Sequence, residues 1–384
     1  FIGAVLYHCL IRVPVPSSLG MVDERLPPPG LFHPRVDPDL GAVVRKATSL
    51  IPANRHIDAA NLVSALEQSL ATERSRNAPT TRTLKLEIAT ETHIGLLKQR
   101  YCAENQDSYF TSWDPVASRG LFLVSDGVSV SEFGSGDQAS EIVSDAARAL
   151  WSSLDNRVLF TADETLGGLD STMDISVDFH ISPLPMSAPA RNRLIADMLD
   201  AANATIGIRI ASTLPKSMIH PEGIMAATVV CCLIEQNRMT YCSIGDSPIY
   251  LIRDGAISTL TFEHSYANRL VSMGKDYNES SRAANAAALV RCVGEFEFDA
   301  DHRLLPVPLK PDFGEIYLLP DDVIVLCSDG IPDYLASTAE QSERMIIDMI
   351  EDAPSSAHLA YDLVVAANRG GGGDNLTCTV IKVT

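Results

Sequence analysis

The sequence predicts an α+β protein in which a large mixed domain follows a short helical segment. Three observations predict it. Hydrophobic residues make up 46% of the chain and charged residues 21%, the balance of a folded protein with a packed core. From about Leu86, apolar runs rich in β-branched residues and closed by Gly, Asp or Ser alternate with amphipathic helical patterns. At 384 residues the chain exceeds one ordinary core, which fits a large domain plus an extra piece.

The elements follow in order. Phe1 to Leu10 reads as a buried helix. It lacks a basic start and a small-residue cleavage site, it contains His8, and it is too short to span a bilayer. A chain starting at Phe1 looks cut from something longer. Pro14 to Pro29 is Pro-rich. Helical patterns then cover Leu40 to Leu50 and Ala59 to Leu70, the second with Leu62, Leu66 and Leu70 on one face and Asp58 placed to cap it. Residues 1–75 are thus a helical unit, 76–85 a polar linker and 86–384 the main domain.

In that domain LFLVSDG, TVVCCLI, MTYCSIGDS, PIYLIRDG, DVIVLCSDG and NLTCTVIKV are strand-like. Asp137 to Leu150, Arg191 to Thr213, Ser342 to Ile350 and Ser355 to Asn368 are helix-like. Asp155 to Ala190 reads as an exposed acidic insertion.

Charge and cysteines narrow the function. A net charge of −19 repels nucleic-acid phosphates and anionic lipid, so neither is an expected partner. The 8 cysteines form no CxxC pair, and Cys231, Cys242, Cys327 and Cys378 lie inside apolar strands. They read as buried, reduced thiols of a cytoplasmic protein.

Five short segments each place an Asp where a strand yields to a turn: ENQDS with Asp107, VSDGV with Asp126, IGDSP with Asp246, CSDGI with Asp329 and GGDNL with Asp374. Any one alone is first a turn residue. Together, on strand ends that share one edge, they would form a carboxylate cluster that is unstable until cations relieve it. Oxygen-only ligands without His favour magnesium or manganese over zinc. The Gly after Asp126 and Asp329 permits close backbone approach and can turn a carbonyl toward an ion. Two ions sharing a carboxylate would lie ~4 Å apart and activate a water.

NQDS, FLVSDGVS, AATVVCCLI, IGDSPIYLIRDG, LTFEHS, VRCVGE, VIVLCSDGIPDYL and GGGGDNLTCTVI give residues 86–384 a resemblance to the metal-dependent protein phosphatases, the type 2C serine/threonine phosphatases. The resemblance implies a four-layer αββα sandwich of two antiparallel sheets flanked by helices. It implies a catalytic set of Asp126, Asp329 and Asp374, and direct attack by a bimetal-activated water on phosphoserine and phosphothreonine proteins. Asp126 would bridge two Mn2+ or Mg2+ ions, and the Gly127 carbonyl would ligate one. Asp329 and Asp374 would complete one metal, and Asp107 would act on the other through water. Asp246 would serve a weaker third ion.

Three positions depart from the pattern. Cys102 stands where the family usually has a phosphate-binding Arg, leaving Arg100 as the nearest arginine. DGVSVSEFGSG lacks the His often found after the first Asp-Gly. Gln106 replaces a common Glu. A catalytically weak binding module and a small-molecule phosphoesterase are therefore the rival readings.

GAVLYHCL, the Pro-rich loop, the helix ending near Pro52 and Arg55 make residues 1–75 resemble the C-terminal end of a protein kinase domain. The Gly-rich loop, phosphate-binding Lys and catalytic Asp of a kinase are missing, so the segment cannot phosphorylate. The resemblance implies a kinase–phosphatase fusion and makes a protein kinase an expected partner. It also leaves the first helix without its usual covering, poorly packed or leaning on the larger domain. Within 263–295, His264, Arg269, Lys275, Arg282 and Arg291 are candidate phosphate contacts, against a plain reading as solvated surface.

Overall fold

The computed structural model describes residues 2–11, 29, 36–49, 52–76, 84–128, 131–155, 186–211, 223–273, 275, 277–301 and 303–384. The strands are β1 Leu86–His93, β2 Asp107–Asp114, β3 Arg119–Asp126, β4 Val229–Glu235, β5 Arg238–Ile244, β6 Ile249–Arg253, β7 Ala256–Thr259, β8 Phe296–Phe298, β9 Leu304–Pro306, β10 Asp312–Tyr317, β11 Val323–Cys327 and β12 Leu376–Val383. They build two five-stranded sheets, in the orders β1-β12-β11-β6-β7 and β10-β5-β4-β3-β2, and a small β8–β9 pair. Every pairing is antiparallel.

Alternation along the strands explains the layering. On β3, Phe122 and Val124 point between the sheets, where they join Val230, Cys232, Leu251, Ile324, Leu326 and Ile381 in one core. Leu121 and Leu123 point the other way, into a second core shared with the helices Gly136–Asp155 and Ala188–Ala211. Val325, Cys378 and Val380 face a third core under the helices Ala339–Asp352 and Ser356–Arg369. The four layers are therefore helix, sheet, sheet, helix. Central strands buried on both faces read as continuous apolar runs, which is how TVVCCLI and DVIVLC look in the sequence.

Gly136–Asp155 and Ala339–Asp352 extend past both expected ends, Ala188–Ala211 starts three residues early, and Ser356–Arg369 is shifted by one residue, with Thr and Ser caps setting the starts of the last two in the chain. Thr338 accepts from the Gln341 N–H and Ser355 from the His358 N–H. The expected insertion over Asp155 to Ala190 falls mostly outside the described residues, as does nearly all of the Pro-rich stretch.

The N-terminal segment contributes the helices Ile2–Ile11, Pro38–Ala47 and Ala59–Arg76. The first was expected to be buried, and the structure corrects this. Tyr7 is buried against Val44, Leu6, Leu10 and Leu40, whereas Ile2 is 52% and Val5 45% exposed. Among the described residues the helix packs chiefly against Pro38–Ala47, and one stripe of it is buried there. The neighbouring helix Pro38–Ala47 in turn leans on the sandwich at β7. Arg45 pairs with Glu343 at 3.2 Å, and Asp39 reaches Arg253 at 3.5 Å.

Arg253 is otherwise a core residue. Its Nε and Nη2 donate to the two carboxylate oxygens of Asp322, each at 2.6 Å, and Asp322 also accepts the Leu319 N–H. Removing one partner of a buried pair strands the other charge. Asp322→Ala is expected to lower unfolding stability by about 3 kcal/mol in urea titration. Arg193→Ala, on an exposed pair whose Nε lies 4.0 Å from Asp197, should change it by less than about 0.5 kcal/mol.

Candidate active site

The carboxylates gather where strand ends of both sheets meet. Asp107 opens β2 and Asp126 closes β3, and register makes them direct cross-strand partners. Asp329 follows β11 in the other sheet, and Asp374 lies just before β12. The Asp126 carboxyl lies close enough to those of Asp107 and Asp329 to interact with both. Asp374 is close enough for its charge to act on Asp107, Asp126 and Asp329. Asp246, after β5, acts in the same way on Asp329. The five sequence segments, up to 267 residues apart from Asp107 to Asp374 by subtraction, thus share one cleft.

Burial dominates their electrostatics. It pushes Asp107 up to about 6, against hydrogen bonds involving Thr377 and Ser328 that favour the ionised form. It pushes Asp246 up to about 6 as well, with the charge of Asp333 adding to the rise. Burial, and then the charges of Asp107 and Asp329, hold Asp126 well above the usual carboxylate range. Burial and then the charge of Asp246 do the same to Asp329.

Local contacts fix the backbone around these groups. The Gly127 N–H donates to the Gln106 carbonyl at 3.0 Å, and the Ser140 hydroxyl donates to the same oxygen at 2.6 Å. A Cβ on Gly127 would sit 2.1 Å from the Gly136 carbonyl oxygen, so only glycine fits there. The Asp107 Oδ2 accepts from the Ser328 hydroxyl at 2.8 Å. At Asp246 the support is longer. The Gly245 N–H donates to Nδ1 of buried His264, whose Nε2 faces Asp312 at 3.0 Å, and Arg291 holds Asp312 at 2.9 Å. His264 and Arg291 are therefore occupied in positioning the Gly245–Asp246 turn.

Sequence reasoning missed Lys98. Of the two basic residues on the 3-10 turn Lys98–Arg100, Arg100 is exposed and Lys98 enters the cluster, pairing with Asp374. Burial alone would lower its pKa, but the hydrogen bond and charge of Asp374, then the charges of Asp126 and Asp107, raise it. The only sequence signal was a lysine in the turn leading to NQDS. Cys102 carries no charge to the site, its Sγ facing the Glu104 carbonyl at 3.3 Å.

The donors suit hard divalent ions, being carboxylate oxygens from several elements. Two of those oxygens, Asp107 Oδ1 and Asp329 Oδ1, are buried with no hydrogen-bond partner. A buried carboxylate oxygen left bare calls for a cation. Among the described residues no three His, Cys, Asp or Glu side chains stand in a group that could hold a metal ion as placed. Lys98 and Ser328 engage oxygens that such a group would use. The fit is thus one of donor chemistry, with the side chains still to draw together around an ion.

Fold and cleft define an αββα sandwich protein built around a buried carboxylate cluster. The Protein phosphatase 2C family model matches residues 98–363, and the chain belongs to that family. It is 26% identical over 303 residues to the serine/threonine protein phosphatase PstP of Mycobacterium tuberculosis, covering 78% of this chain and 46% of that protein. The chain spans about half the length of the curated relatives it matches. Its fold is shared with the S. agalactiae serine/threonine phosphatase, with a TM-score of 0.55 at 22% identity over 78% of this chain and all of that one. It is shared too with the catalytic domain of PstP in complex with two manganese ions, with a TM-score of 0.50 at 24% identity over 79% of this chain and all of that one.

The raised carboxyl values set a pH dependence. Asp107 and Asp246 hold their protons up to about 6 in the folded chain, against an ordinary 3.8. Ionising them costs stability that is intact below about 3.8 and is lost progressively as pH rises toward 6. A divalent ion competes with those protons and removes the penalty. The rise in melting temperature on adding Mn2+ is expected to be larger at pH 7.5 than at pH 5. An equal rise at both values would contradict this electrostatic picture.

Proposed function

We propose that residues 86–384 hydrolyse phosphoserine and phosphothreonine esters on proteins with two divalent cations, manganese or magnesium. The observation that carries this reading is the cleft itself, where carboxylates from both sheets converge with Asp107 Oδ1 and Asp329 Oδ1 buried and bare. Family membership supports it.

In this reading Asp107, Asp126, Asp329 and Asp374 would hold the two ions. The Gly127 carbonyl would add a backbone oxygen, and Asp246 with Asp329 would hold a weaker third ion. When bound, the ions supply a water activated near neutral pH and neutralise the phosphoryl oxygens. The chain's own part is positioning. Ser328 orients Asp107, the Gln106–Gly127–Ser140 bonds fix the turn after Asp126, and His264 fixes the turn before Asp246. No side-chain nucleophile is required.

A second reading has one observation in its favour. With Cys102 where the family carries an Arg and Lys98 on Asp374, the domain would bind phosphoproteins and turn them over slowly. Within either reading we take residues 1–75 as a kinase-lobe-like segment, and a protein kinase as a candidate partner. A cytoplasmic setting follows from the reading of the buried thiols. No helix among the described residues is long and apolar enough to cross a membrane.

Phosphothreonine-peptide hydrolysis by the full chain is the direct test. Release of phosphate should require added Mn2+ or Mg2+ and fall to the level of the chelated sample in Asp126→Ala and in Asp329→Ala. Turnover that survives chelator, or both substitutions, would sink the proposal. Metal binding with no turnover at all would favour the binding module.

A further inference from the structure

We propose that Asn105, Thr92 and Thr377 are positioning residues for Asp107: a one-way chain of hydrogen bonds runs through them to its carboxyl and presents Oδ1 to a divalent ion. The proposal deepens the phosphatase reading and rests on its claim that Asp107 serves a metal.

The direction of the chain follows from what each group can give. The Asp107 N–H donates to Asn105 Oδ1 at 3.2 Å. A backbone N–H needs an acceptor, so this bond fixes the Asn105 amide and leaves its NH2 for Thr92. Asn105 Nδ2 donates to the Thr92 hydroxyl at 2.8 Å. An amide NH2 accepts nothing, so the single Thr92 hydroxyl proton goes to its other partner, the Thr377 hydroxyl at 2.7 Å. The Thr377 proton is then left for the Asp107 carboxyl, a bond that opposes the effect of burial by favouring the ionised form. The loop of bonds thus leaves Asp107 at its backbone and returns to it at its side chain.

Both sheets contribute. Thr92 on β1 and Thr377 on β12 are direct cross-strand partners in one sheet, and Asp107 opens β2 in the other. Thr377 and Asp107 are buried, so water competes little for these bonds. Thr377 also donates its backbone N–H to Ser328 Oγ at 3.1 Å, and the Ser328 hydroxyl donates to Asp107 Oδ2 at 2.8 Å. Asp107 Oδ1 is left buried and without a partner. A carboxyl held by neutral donors keeps both its charge and its orientation, which is what an entering cation needs. Two residues along the same strands lies a second threonine ladder, in which Thr90 meets Thr379 at 2.9 Å and Thr111 at 3.1 Å. It too joins the sheets, but it runs between hydroxyls and not to a carboxyl. Comparing the two ladders separates a role at Asp107 from plain cohesion.

Calorimetric titration of the full chain with Mn2+ alone is the test. Thr92→Val removes the hydroxyl at similar size and should weaken Mn2+ binding about tenfold, with Thr92→Ser restoring it. Thr90→Val, which breaks the other ladder, should leave Mn2+ affinity unchanged. Adding Thr92→Val to Asn105→Ala should weaken binding no further than Asn105→Ala alone, because one chain is then cut twice. Unchanged affinity in Thr92→Val, an equal loss in Thr90→Val, or additive losses in the double variant would each overturn the proposal. Thr92→Ala gives the same readings should the Val variant fail to fold. An unaltered chain that takes up no Mn2+ would overturn the proposal and the metal reading together. One that binds Mn2+ but hydrolyses nothing would defeat the phosphatase proposal and leave these comparisons intact.

Discussion

Like charge confined away from water is the constraint on which this structure turns. Asp107 and Asp126 face each other across one strand pair, and Asp329 meets them from the second sheet. Water would separate such groups or protonate them. Here the backbone register holds them together, and several neighbouring groups offset the repulsion. The Ser328 hydroxyl donates to Asp107, the Asn375 N–H to Asp374, and the Lys98 ammonium enters the cluster.

The sandwich supplies the stiffness that this arrangement needs. The inter-sheet core of Phe122, Val124, Val230, Leu251, Ile324 and Ile381 locks the two sheets together, so strand ends cannot splay apart. Carboxylates placed at those ends inherit that rigidity. At Asp246 the same result is reached by a polar chain, in which Arg291, Asp312 and His264 brace the Gly245 N–H. Gly245 itself takes φ +104°, and a Cβ there would press on Thr228 at 2.5 Å. That close approach also brings Thr228 near Asp126, whose N–H donates to the Thr228 hydroxyl at 3.3 Å.

Among the described residues, ion pairs tie the N-terminal segment to this frame. Asp39 extends the Arg253–Asp322 pair, and Arg45 meets Glu343, which also accepts from Thr259 at the end of the edge strand β7. An edge strand with helix packed against it is less open to pairing with another chain. The first helix, resting on the second through Tyr7 and Val44, keeps Ile2 and Val5 in solvent because nothing described lies over them.

How much of this was legible in the sequence follows from the range of the forces involved. β-Branched runs such as VIVLC and LTCTVIKV announce strands because pleat geometry and burial act on consecutive residues. Helix faces were visible for the same reason, through the period of 3.6. The five Asp positions stood out because each sits where a strand meets a turn, Asp126, Asp246 and Asp329 at or after a strand's end and Asp107 and Asp374 at or before a strand's start. The sequence by itself therefore determined the α+β class, the family resemblance and the set of acidic segments. Tertiary structure alone decided which basic group entered the cluster. Lys98 and Asp374 are 276 residues apart, and no local pattern distinguishes Lys98 from Arg100 two positions later. It decided, too, that His264 braces Asp246 and that the first helix is only half covered. Such choices depend on which surfaces the finished sheets bring together, and that information is held by no short stretch of chain.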